Sequence, residues 1–239
     1  MIEKERVKRN FEKRIDSYEK SANVQKKMAK KLVSFLNEKE YPSILEIGSY
    51  SGVLTSEINK NIKYRSYLAL DVVEKSGEYL EKIDKNIRFI NSDIEVFETK
   101  EKFDLIVSNA ALQWCSDFSG VIKKLSGFLN PDGILAVSIF SDENLKEIKT
   151  VFGVSLEYPL KSDILKLFSS ESLVEEEKIQ IKFDTPLEVM RHLKNTGVNS
   201  LGKVCLPVGE MRKNLKRLEQ EFGNTLTYTP IYIAGRIKK

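Results

Sequence analysis

Histidine and cysteine are scarce in this chain of 239 residues, which contains one histidine, His192, and two cysteines, Cys115 and Cys205. A zinc site or a disulfide framework needs several such residues at short spacings, so the sequence argues against both and predicts no metal. No apolar run approaches the roughly 18 residues of a membrane-spanning helix, and the N-terminal segment 1–14 is charged throughout. We therefore expect a cytoplasmic protein without a signal peptide or a membrane segment.

The net charge of +4 is concentrated at the N-terminus, where residues 1–40 hold twelve Lys or Arg against seven Asp or Glu. This segment predicts a basic helix. Its polar face is either simply solvated or attracts an acidic partner, and the sequence leaves both open. The composition, with 41% hydrophobic and 31% charged residues, is typical of a globular protein and excludes collagen-like and wholly disordered chains.

Residues 43–140 alternate short apolar strands with helical segments, as βαβ units do. Nearly continuous apolar strands joined by helices are typical of a parallel sheet that is covered on both faces. The predicted strands span residues 44–47, 67–70, 87–90, 103–107 and 134–140, and the predicted helices span 53–59, 73–83 and 118–129. The turn Asn130-Pro-Asp-Gly133 is predicted to follow the last of these helices.

The C-terminal part predicts two more strands, at 178–183 and 226–237, and helices beginning near residues 142, 163, 186 and 211. We expect an α/β fold with seven strands in one mostly parallel sheet and helices on both faces. We expect a single domain over 1–239, with a helical lid at 1–40, a cofactor-binding core at 43–140, and substrate-side insertions and final strands at 141–239. Within the last part, residues 142–176 and 196–224 are expected to cap the carboxyl edge of the sheet.

A glycine-bearing turn follows the first predicted strand, in the segment Glu46-Ile-Gly48-Ser49-Tyr50-Ser51-Gly52. Glycine has no Cβ, so such a turn allows the backbone to approach a ligand closely. Asp71 ends the second strand, where a carboxylate can accept hydrogen bonds from both ribose hydroxyls of a nucleoside. The pattern predicts a nucleoside-binding site at the carboxyl edge of the sheet.

The loops after the third and fourth strands extend this predicted site. Asp93 and Ile94 would lie where adenine presents its amino group and its ring face, and the loop 108–114 would lie beside them. A dinucleotide fingerprint requires a glycine where this chain has Tyr50, so the sequence disfavours NAD.

Motifs over residues 43–140 resemble those of class I S-adenosylmethionine-dependent methyltransferases, namely Glu46-x-Gly48-x-x-x-Gly52, Asp71, Ser92-Asp93, Phe103-Asp-Leu-Ile and Pro131-Asp-Gly133. More narrowly, nearly the whole chain resembles the malonyl-acyl carrier protein O-methyltransferase family of biotin synthesis. The residues that carry this second resemblance are Arg9-x-Phe11, Tyr18, Ala22, Gln25, Ser108-Asn109, Leu112-Gln113-Trp114, Ser138-x-Phe140 and Arg191-His-Leu-Lys194-x-Thr-Gly-Val-Asn199. The chain departs from the family pattern at Tyr50, where the family usually has glycine. The larger side chain is expected to narrow the space near the methionine part of the cofactor.

The resemblance implies a Rossmann-like class I methyltransferase fold, with S-adenosylmethionine as cofactor, S-adenosylhomocysteine as its product and no metal. It implies cofactor contacts from Gln25, Glu46, Gly48, Ser49, Gly52, Asp71, Val72, Asp93, Ile94, Asn109, Ala110 and Leu112. It implies substrate contacts from Gln113, Trp114, Phe140, His192 and Lys194, and catalytic roles for Tyr18 and Arg191.

The implied reaction transfers a methyl group to the free carboxylate of a malonyl thioester, carried by acyl carrier protein or by coenzyme A. A sulfonium is an activated donor and a carboxylate is ionised at pH 7, so alignment and exclusion of water suffice without a metal or a general base. Arg191 is the candidate to hold the carboxylate, because a guanidinium fork matches it, and Lys194 is the second candidate. Equally, Arg191 could be a solvated charge, Tyr18 a packing residue, Gln25 a surface residue and His192 a buried structural histidine.

Two other functions stay open from the sequence. A carboxyl methyltransferase resembling trans-aconitate methyltransferase would share the loop 112–114, but it would need several basic groups inside its pocket. A nucleic-acid-binding or RNA-modifying protein would account for the basic N-terminus, but this chain lacks the Asn/Asp-Pro-Pro-Tyr/Phe loop of base methylation after its fourth strand. We expect a monomer whose basic rim docks an acidic carrier protein, with neither nucleic acid nor a membrane as a partner.

Overall fold

The computed structural model describes residues 4–156, 158–197 and 206–238. The helices of these ranges are α1 (Lys4–Glu12), α2 (Ile15–Ser21), α3 (Asn23–Ser34), α4 (Val53–Asn61), α5 (Ser76–Ile83), α6 (Phe118–Phe128), α7 (Lys146–Phe152), α8 (Lys161–Lys166), α9 (Pro186–Asn195) and α10 (Val208–Phe222). The strands are β1 (Ser43–Ile47), β2 (Ser66–Asp71), β3 (Arg88–Asn91), β4 (Phe103–Asn109), β5 (Leu129–Phe140), β6 (Leu173–Glu176), β7 (Ile179–Lys182), β8 (Thr225–Tyr228) and β9 (Pro230–Gly235). None of these helices has the length and apolar character that a membrane span requires.

Seven strands form one sheet in the order β3-β2-β1-β4-β5-β9-β6. The strands β1 to β5 run parallel, and β9 runs antiparallel to both of its neighbours. The predicted seven-stranded, mostly parallel α/β fold is therefore confirmed. The chain leaves β1 towards β2 and β3 and then crosses back to β4, so the topological switch point lies between β1 and β4 at their carboxyl ends.

The central strands are apolar almost throughout because both faces of the sheet are covered. Successive side chains of a strand point to opposite faces. Ile44 and Leu105 pack on the face covered by α3 and α4. Leu45 and Ile106 pack on the other face, under α6 and α8. The predicted helices on both faces are thus present.

The identity of the seventh strand differs from the prediction. Residues 178–183 contain a strand, β7, but it pairs with β8 in a separate two-stranded sheet. The seventh place belongs to β6, which the sequence placed in a cap, because its four exposed side chains lack the alternation that reveals a strand. The predicted strand 226–237 is divided at Thr229 into β8 and β9, which lie in different sheets. The predicted turn 130–133 lies inside β5, beside a register shift in its pairing with β4.

The N-terminal segment forms three helices where the sequence predicted one. The chain leaves the helical conformation at Ala22, with φ of −84° and ψ of 38°, so Tyr18 and Gln25 lie on two helices and do not share one helix face. Helix α3 packs against α4 and the strands β4, β5 and β9, and belongs to the core. We call α1 and α2 the lid helices.

Candidate active site

A cavity of about 480 Å³ opens at the carboxyl edge of β1, β2 and β4, next to the switch point. Its wall contains the turn after β1, the ends of β2 and β4, and side chains of the lid helices. The predicted site residues that line it are Tyr18, Gln25, Gly48, Ser49, Asp71, Val72, Asp93, Ile94, Asn109, Ala110, Leu112 and Trp114. The structure therefore brings together residues that are up to 96 positions apart in the chain.

Gly48 allows the turn after β1 to lie directly against the loop after β4. Its φ of 75° is in the left-handed region, and a Cβ atom at this position would come 2.2 Å from Ala111 Cβ. Gly48 N donates to Leu70 O at 2.8 Å, which fixes the turn to the end of β2. The close neighbour of Gly48 in the structure is the loop after β4, and the predicted close approach of its backbone to a ligand stays a prediction.

Asp71 ends β2 and presents a carboxylate that is only 7% exposed at the cavity wall. Its Oδ2 accepts a hydrogen bond from Tyr50 N and its Oδ1 accepts one from Val73 N, both at 2.8 Å. Burial raises the pKa of Asp71 to about 6, and the backbone hydrogen bonds from Val73 and Tyr50 oppose that rise. Each oxygen keeps a second lone pair, so the carboxylate can also accept hydroxyl donors from a ligand.

Tyr50 stands where the sequence pattern expects glycine, and it keeps the left-handed backbone that glycine favours, with φ of 43°. Its ring lies edge-on to those of Tyr18 and Phe11, with centroid distances of 4.7 and 5.1 Å. Its hydroxyl donates to Phe11 O at 2.8 Å. The Tyr50 side chain thus joins the turn after β1 to both lid helices.

Phe11 connects three segments that are distant in the sequence. Its ring lies edge-on to Trp114, in the loop after β4, at 5.7 Å. Gly197, after α9, has φ of 82°, and a Cβ atom there would come 2.6 Å from Phe11 Cε1. The first lid helix, the loop after β4 and the segment after α9 therefore meet at the cavity that Phe11 and Trp114 line.

Asp93 and Ile94 line the cavity after β3. Asp93 Oδ2 accepts a hydrogen bond from Lys4 Nζ at 2.6 Å, and Lys4 also pairs with Glu95. Lys4 belongs to α1, so this ion pair joins the first lid helix to the far side of the cavity. The Lys4 and Asp93 side chains are 38% and 28% exposed, and such pairs contribute about 0 to 1 kcal/mol, which leaves the lid easy to open.

Two polar atoms of cavity-lining residues, Gln25 Oε1 and Ser51 Oγ, are buried without a hydrogen-bond partner in the part of the chain that the structure describes. Asn109 holds the Gln25 backbone, because its Nδ2 donates to Gln25 O at 3.0 Å while its Oδ1 accepts from Ser138 Oγ at 2.6 Å. A buried polar atom without a partner costs about 1 to 3 kcal/mol. These atoms therefore indicate a polar ligand in the cavity. At 6% exposure Gln25 is not a surface residue.

Glu46 and Gly52, which the sequence assigned to the cofactor, lie behind the cavity wall and not on it. Glu46 is 1% exposed, and its Oε2 accepts hydrogen bonds from Thr55 Oγ1 at 2.6 Å and Tyr67 OH at 2.7 Å. Burial raises the pKa of Glu46 to about 7, and these two hydrogen bonds oppose the rise. A direct contact of either residue with a cofactor stays a prediction.

Three predicted substrate contacts also lie outside the described cavity wall. The Phe140 ring lies 5.7 Å from that of Tyr228, and His192 Nε2 lies 2.9 Å from Tyr228 OH. Burial lowers the pKa of His192, so its ring is neutral at pH 7, as a structural histidine would be. Gln113 Nε2 donates to Ala110 O at 2.7 Å and holds the loop after β4.

Arg191 and Lys194 lie on α9 with exposed side chains, outside the described cavity wall. Helix α9 contacts α2, the lid helix that carries Tyr18. The roles of Arg191 and Lys194 towards a substrate stay predictions. Val198 and Asn199, the end of the predicted motif, lie outside the described residues, as does Cys205.

No group of three or more His, Cys, Asp or Glu side chains within residues 4–156, 158–197 and 206–238 could hold a metal ion. Cys115 is the free cysteine of these ranges, and it lines the cavity. Burial raises the pKa of its thiol to about 12, so the thiol stays protonated at pH 7.

Comparisons with known proteins agree with the motifs. A family described as a methyltransferase domain matches residues 21–176. A malonyl-[acyl-carrier protein] O-methyltransferase from Calditerrivibrio nitroreducens is 35% identical, over 94% of this chain and 94% of the relative. The chain belongs to the malonyl-[acyl-carrier protein] O-methyltransferase family. A second member, from Haemophilus influenzae, is 30% identical, over 98% of this chain and 95% of the relative.

Solved structures of other proteins share the fold of this malonyl-[acyl-carrier protein] O-methyltransferase family member. The N-methyltransferase NodS from Bradyrhizobium japonicum, in complex with S-adenosylhomocysteine, has a TM-score of 0.62 and 15% identity, and the match covers 98% of this chain and 99% of NodS. The YcgJ protein from Bacillus subtilis has a TM-score of 0.62 and 13% identity, over 87% of this chain and 96% of YcgJ. The predicted Rossmann-like class I fold and the predicted family are both confirmed.

Sequence reasoning missed several residues that line the cavity of this family member, among them Lys4, Phe11, Ser51 and Ala111. Ser51 and Ala111 adjoin residues that the sequence assigned to the cofactor, and Phe11 lies in a motif that carries the family resemblance. The sequence therefore contained a feature that could have identified each of the three. Lys4 had none, because its ion pair with Asp93 joins residues 89 positions apart.

Proposed function

We propose that this chain transfers a methyl group from S-adenosylmethionine to the free carboxylate of malonyl-acyl carrier protein, giving the methyl ester that primes pimeloyl and biotin synthesis. The observation that carries the proposal is the cavity at the switch point, where the buried Asp71 carboxylate lies beside the Gly48 turn. Family membership supplies the acceptor, since the curated relatives are named for malonyl-acyl carrier protein.

The residues at the cavity fit S-adenosylmethionine. Asp71 would hold the ribose hydroxyls, and Asp93 with Ile94 would hold the adenine, whose amino group would replace the Lys4 ammonium. The unpartnered acceptors on Gln25 and Ser51 suit the ammonium group of the cofactor's amino acid. The bound cofactor would supply a methyl group on a positively charged sulfur. An ionised carboxylate oxygen would bond to the methyl carbon as the carbon–sulfur bond breaks and S-adenosylhomocysteine leaves, and no base is needed.

The chain's own contribution is therefore alignment and exclusion of water. Burial raises the pKa of the Tyr18 phenol well above its ordinary value, and burial lowers that of His192, so both are neutral at pH 7. Neither is required as a base. Tyr18 closes the cavity from α2, packed against Tyr50, and the lid helices keep water from the reacting groups.

For the substrate carboxylate, we propose Arg191 with Lys194 as an entry site on α9, beside the lid. An exposed guanidinium binds a carboxylate weakly, which is an advantage here because tight binding of the attacking oxygen would stabilise the ground state. Phe140, His192, Gln113 and Trp114 would shape the path of the thioester arm.

The other functions have less support. Lys4 and Lys8 are the basic residues of the described cavity wall, and Lys4 is paired with Asp93 and Glu95, so a free tricarboxylate such as trans-aconitate would find few cations. A nucleic-acid partner would account for the basic N-terminal segment, but the chain lacks the Asn/Asp-Pro-Pro-Tyr/Phe loop of base methylation after its fourth strand. Cytoplasmic location and a monomeric state stay predictions of the sequence.

We propose that the acidic carrier protein docks on a basic rim formed by α10 and the lid helices. Arg212, Lys213 and Lys216 are exposed on α10, which packs beside α9. The sequence also predicts Arg217 as a member of this rim. Its Nε lies 2.8 Å from Glu221 Oε1 in an ion pair, so Arg217 offers less unpaired charge to a partner. On the lid, the sequence predicts Lys8, Arg9, Lys13 and Arg14 as members of this rim. Arg9 and Lys13 are exposed, whereas Lys8 lines the cavity and Arg14 has a buried guanidinium nitrogen.

Replacing Arg212, Lys213 and Lys216 together by glutamate is expected to raise the apparent KM for malonyl-acyl carrier protein severalfold. Exposed charges act mainly on encounter, and their attraction is screened over about 8 Å at physiological ionic strength, so the difference from the unmodified protein should shrink with added salt. Steady-state kinetics between low and high salt measure this. The KM for malonyl-coenzyme A should not change, since it has no carrier surface.

The matched control reverses Lys39, Lys85 and Lys100, which are exposed and precede β1, β3 and β4 at the opposite edge of the sheet. It makes the same change in net charge and should leave the KM for the carrier substrate unchanged. Equal effects of the two triple variants would contradict docking at α10.

Affinity for S-adenosylhomocysteine is expected to fall as the pH is lowered below 6. Burial raises the pKa of Asp71 to about 6, and a protonated carboxyl loses acceptor capacity that the ribose hydroxyls need. Below that pKa the dissociation constant should rise by up to about tenfold per pH unit. Titration calorimetry between pH 7.5 and 5 measures this.

Two variants separate Asp71 from its buried neighbour Glu46, whose pKa is about 7. The Asp71→Asn variant should bind S-adenosylhomocysteine weakly, and its affinity should change little below pH 6. The affinity of the Glu46→Gln variant should still fall below pH 6, as that of the wild-type protein does. Constant wild-type affinity down to pH 5 would exclude an ionised Asp71 as a ligand for the ribose.

The deciding experiment for the proposed function is intact-mass analysis of malonyl-acyl carrier protein after incubation with the protein and S-adenosylmethionine. We expect the mass of one added methyl group on the malonyl carrier. An unmodified malonyl carrier, with methylation of trans-aconitate in a parallel reaction, would reassign the substrate within the same fold.

A further inference from the structure

Arg14 carries a buried guanidinium nitrogen that nothing in the described structure satisfies. The residue lies between α1 and α2, and its carbonyl oxygen accepts hydrogen bonds from Tyr18 N at 2.9 Å and Ser17 N at 3.0 Å. Its Nη1 is buried and has no hydrogen-bond partner among the described residues. Burial lowers the pKa of Arg14, but a guanidinium stays charged in a protein. A buried donor of this kind destabilises the protein unless an anion reaches it.

The neighbouring carboxylates of the chain have other partners. Asp16 accepts hydrogen bonds from Lys75 Nζ at 2.7 Å and from Tyr79 OH at 2.5 Å. Glu12 lies 3.9 Å from Lys8 Nζ. The anion for Arg14 is therefore expected to come from a ligand.

The position of Arg14 is close to the cavity wall. Arg14 N donates to Phe11 O at 2.9 Å, and the same oxygen accepts the Tyr50 hydroxyl at 2.8 Å. Phe11, Tyr18 and Tyr50 all line the cavity. The Arg14 guanidinium also interacts electrostatically with Tyr50, which places it next to the turn 48–52.

We propose that Arg14 binds a ligand carboxylate at this end of the cavity. A guanidinium fork matches a carboxylate, and Arg14 Nη1 is the buried cationic nitrogen without a hydrogen-bond partner in the described part of the chain. Resting on the proposed function, two carboxylates can reach the site: that of the cofactor's amino acid and that of the malonyl group. The cofactor's carboxylate is favoured, because Arg14 adjoins the turn 48–52 whose Tyr50 backbone is bonded to Asp71, the residue for the ribose.

The test compares two nucleosides that differ in the amino-acid part. S-adenosylhomocysteine carries the carboxylate, whereas 5′-methylthioadenosine lacks the whole amino acid. In titration calorimetry, Arg14→Met is expected to lower the affinity for S-adenosylhomocysteine by about 10- to 100-fold. The affinity for 5′-methylthioadenosine should stay within about twofold of the wild-type value. Arg14→Lys should recover part of the loss. Lys20→Met, on the exposed side of α2, is the matched loss of one charge and should change neither affinity.

A second measurement identifies the other source of the carboxylate. If both nucleosides bind Arg14→Met normally and the KM for malonyl-coenzyme A rises at least tenfold, Arg14 binds the malonyl carboxylate, and the proposal stands with that ligand. Thermal unfolding of the ligand-free variant should show no loss of stability, because the substitution removes a buried nitrogen that has no hydrogen-bond partner in the described residues.

Unchanged affinities and an unchanged KM in Arg14→Met would overturn the proposal. So would an equal loss for both nucleosides together with a lower unfolding temperature, since that pattern indicates a purely structural residue. Failure of the wild-type protein to bind either nucleoside would instead refute the proposed function.

Discussion

Replacing Asp71 by alanine is expected to weaken binding of S-adenosylhomocysteine by about 1.5 to 3 kcal/mol, or about 10- to 150-fold. The carboxylate is buried at the cavity wall and keeps lone pairs free for two hydroxyl donors. The substitution also leaves Tyr50 N and Val73 N without their acceptor, which loosens the turn after β1. Titration calorimetry at pH 7.5 measures the loss.

Asp104 provides the matched control for this substitution. Its carboxylate also bonds to backbone and side-chain donors, namely Ser43 N at 2.9 Å and Asn130 Nδ2 at 2.7 Å, but it lies near the start of β4, at the opposite edge of the sheet. Asp104→Ala should lower stability and leave the affinity for S-adenosylhomocysteine unchanged. If Asp71→Ala bound the ligand as tightly as Asp104→Ala does, Asp71 would have to be removed from the site.

Removal of the lid helices is expected to reduce turnover by at least about 100-fold while leaving the sheet folded. The deletion should end at residue 22, because α3 begins at Asn23 and packs on the core. A deletion to residue 25 would remove the first residues of α3. The truncated protein loses Phe11 and Tyr18, which line the cavity, and exposes the reacting groups to water. Steady-state kinetics measure turnover, and far-ultraviolet circular dichroism reports whether the remaining fold is intact.

A point variant keeps this test informative if the truncated chain does not fold. Phe11→Ala retains α1 and α2 but removes the ring between Tyr50, Trp114 and Gly197. It should lower turnover with little change in the far-ultraviolet spectrum. Glu12→Gln, next to Phe11 on the same helix, removes no aromatic contact and lies outside the described cavity wall, so it serves as the control for turnover. Full turnover in both the truncated protein and Phe11→Ala would refute the role of the lid.

The lid is attached in a way that permits movement. Its outer contacts are ion pairs between exposed or partly exposed side chains, Lys4 with Asp93 and Lys75 with Asp16, which add little stability in water. Its central contact is the aromatic packing of Tyr18 on Tyr50 at 4.7 Å. Segments with few strong contacts open locally at low free energy, so we expect α1 and α2 to open as the predicted lid.

Local patterns of the sequence determined the parallel core and the place of its cofactor site. The strands β1 to β5 contain apolar runs bounded by turn residues, Asp71 is the last residue of β2, and Asp93 lies two residues after β3. Since parallel strands end at one edge, residues after successive strands are brought together without any knowledge of side-chain packing. Local patterns also placed Arg191 on a helix, but they could not predict how far Arg191 lies from the cavity.

Only the tertiary structure decided the contacts between segments that are remote in the chain. The alternation in 178–183 shows that one face of β7 is buried, but strand pairing is non-local, and the partner proved to be β8. The left-handed backbone of Tyr50, the Phe11 contacts and the unpartnered Arg14 nitrogen depend in the same way on how the lid packs. The periodicity of the sequence predicts whether a side chain is buried, but only the tertiary packing determines which residues that side chain contacts.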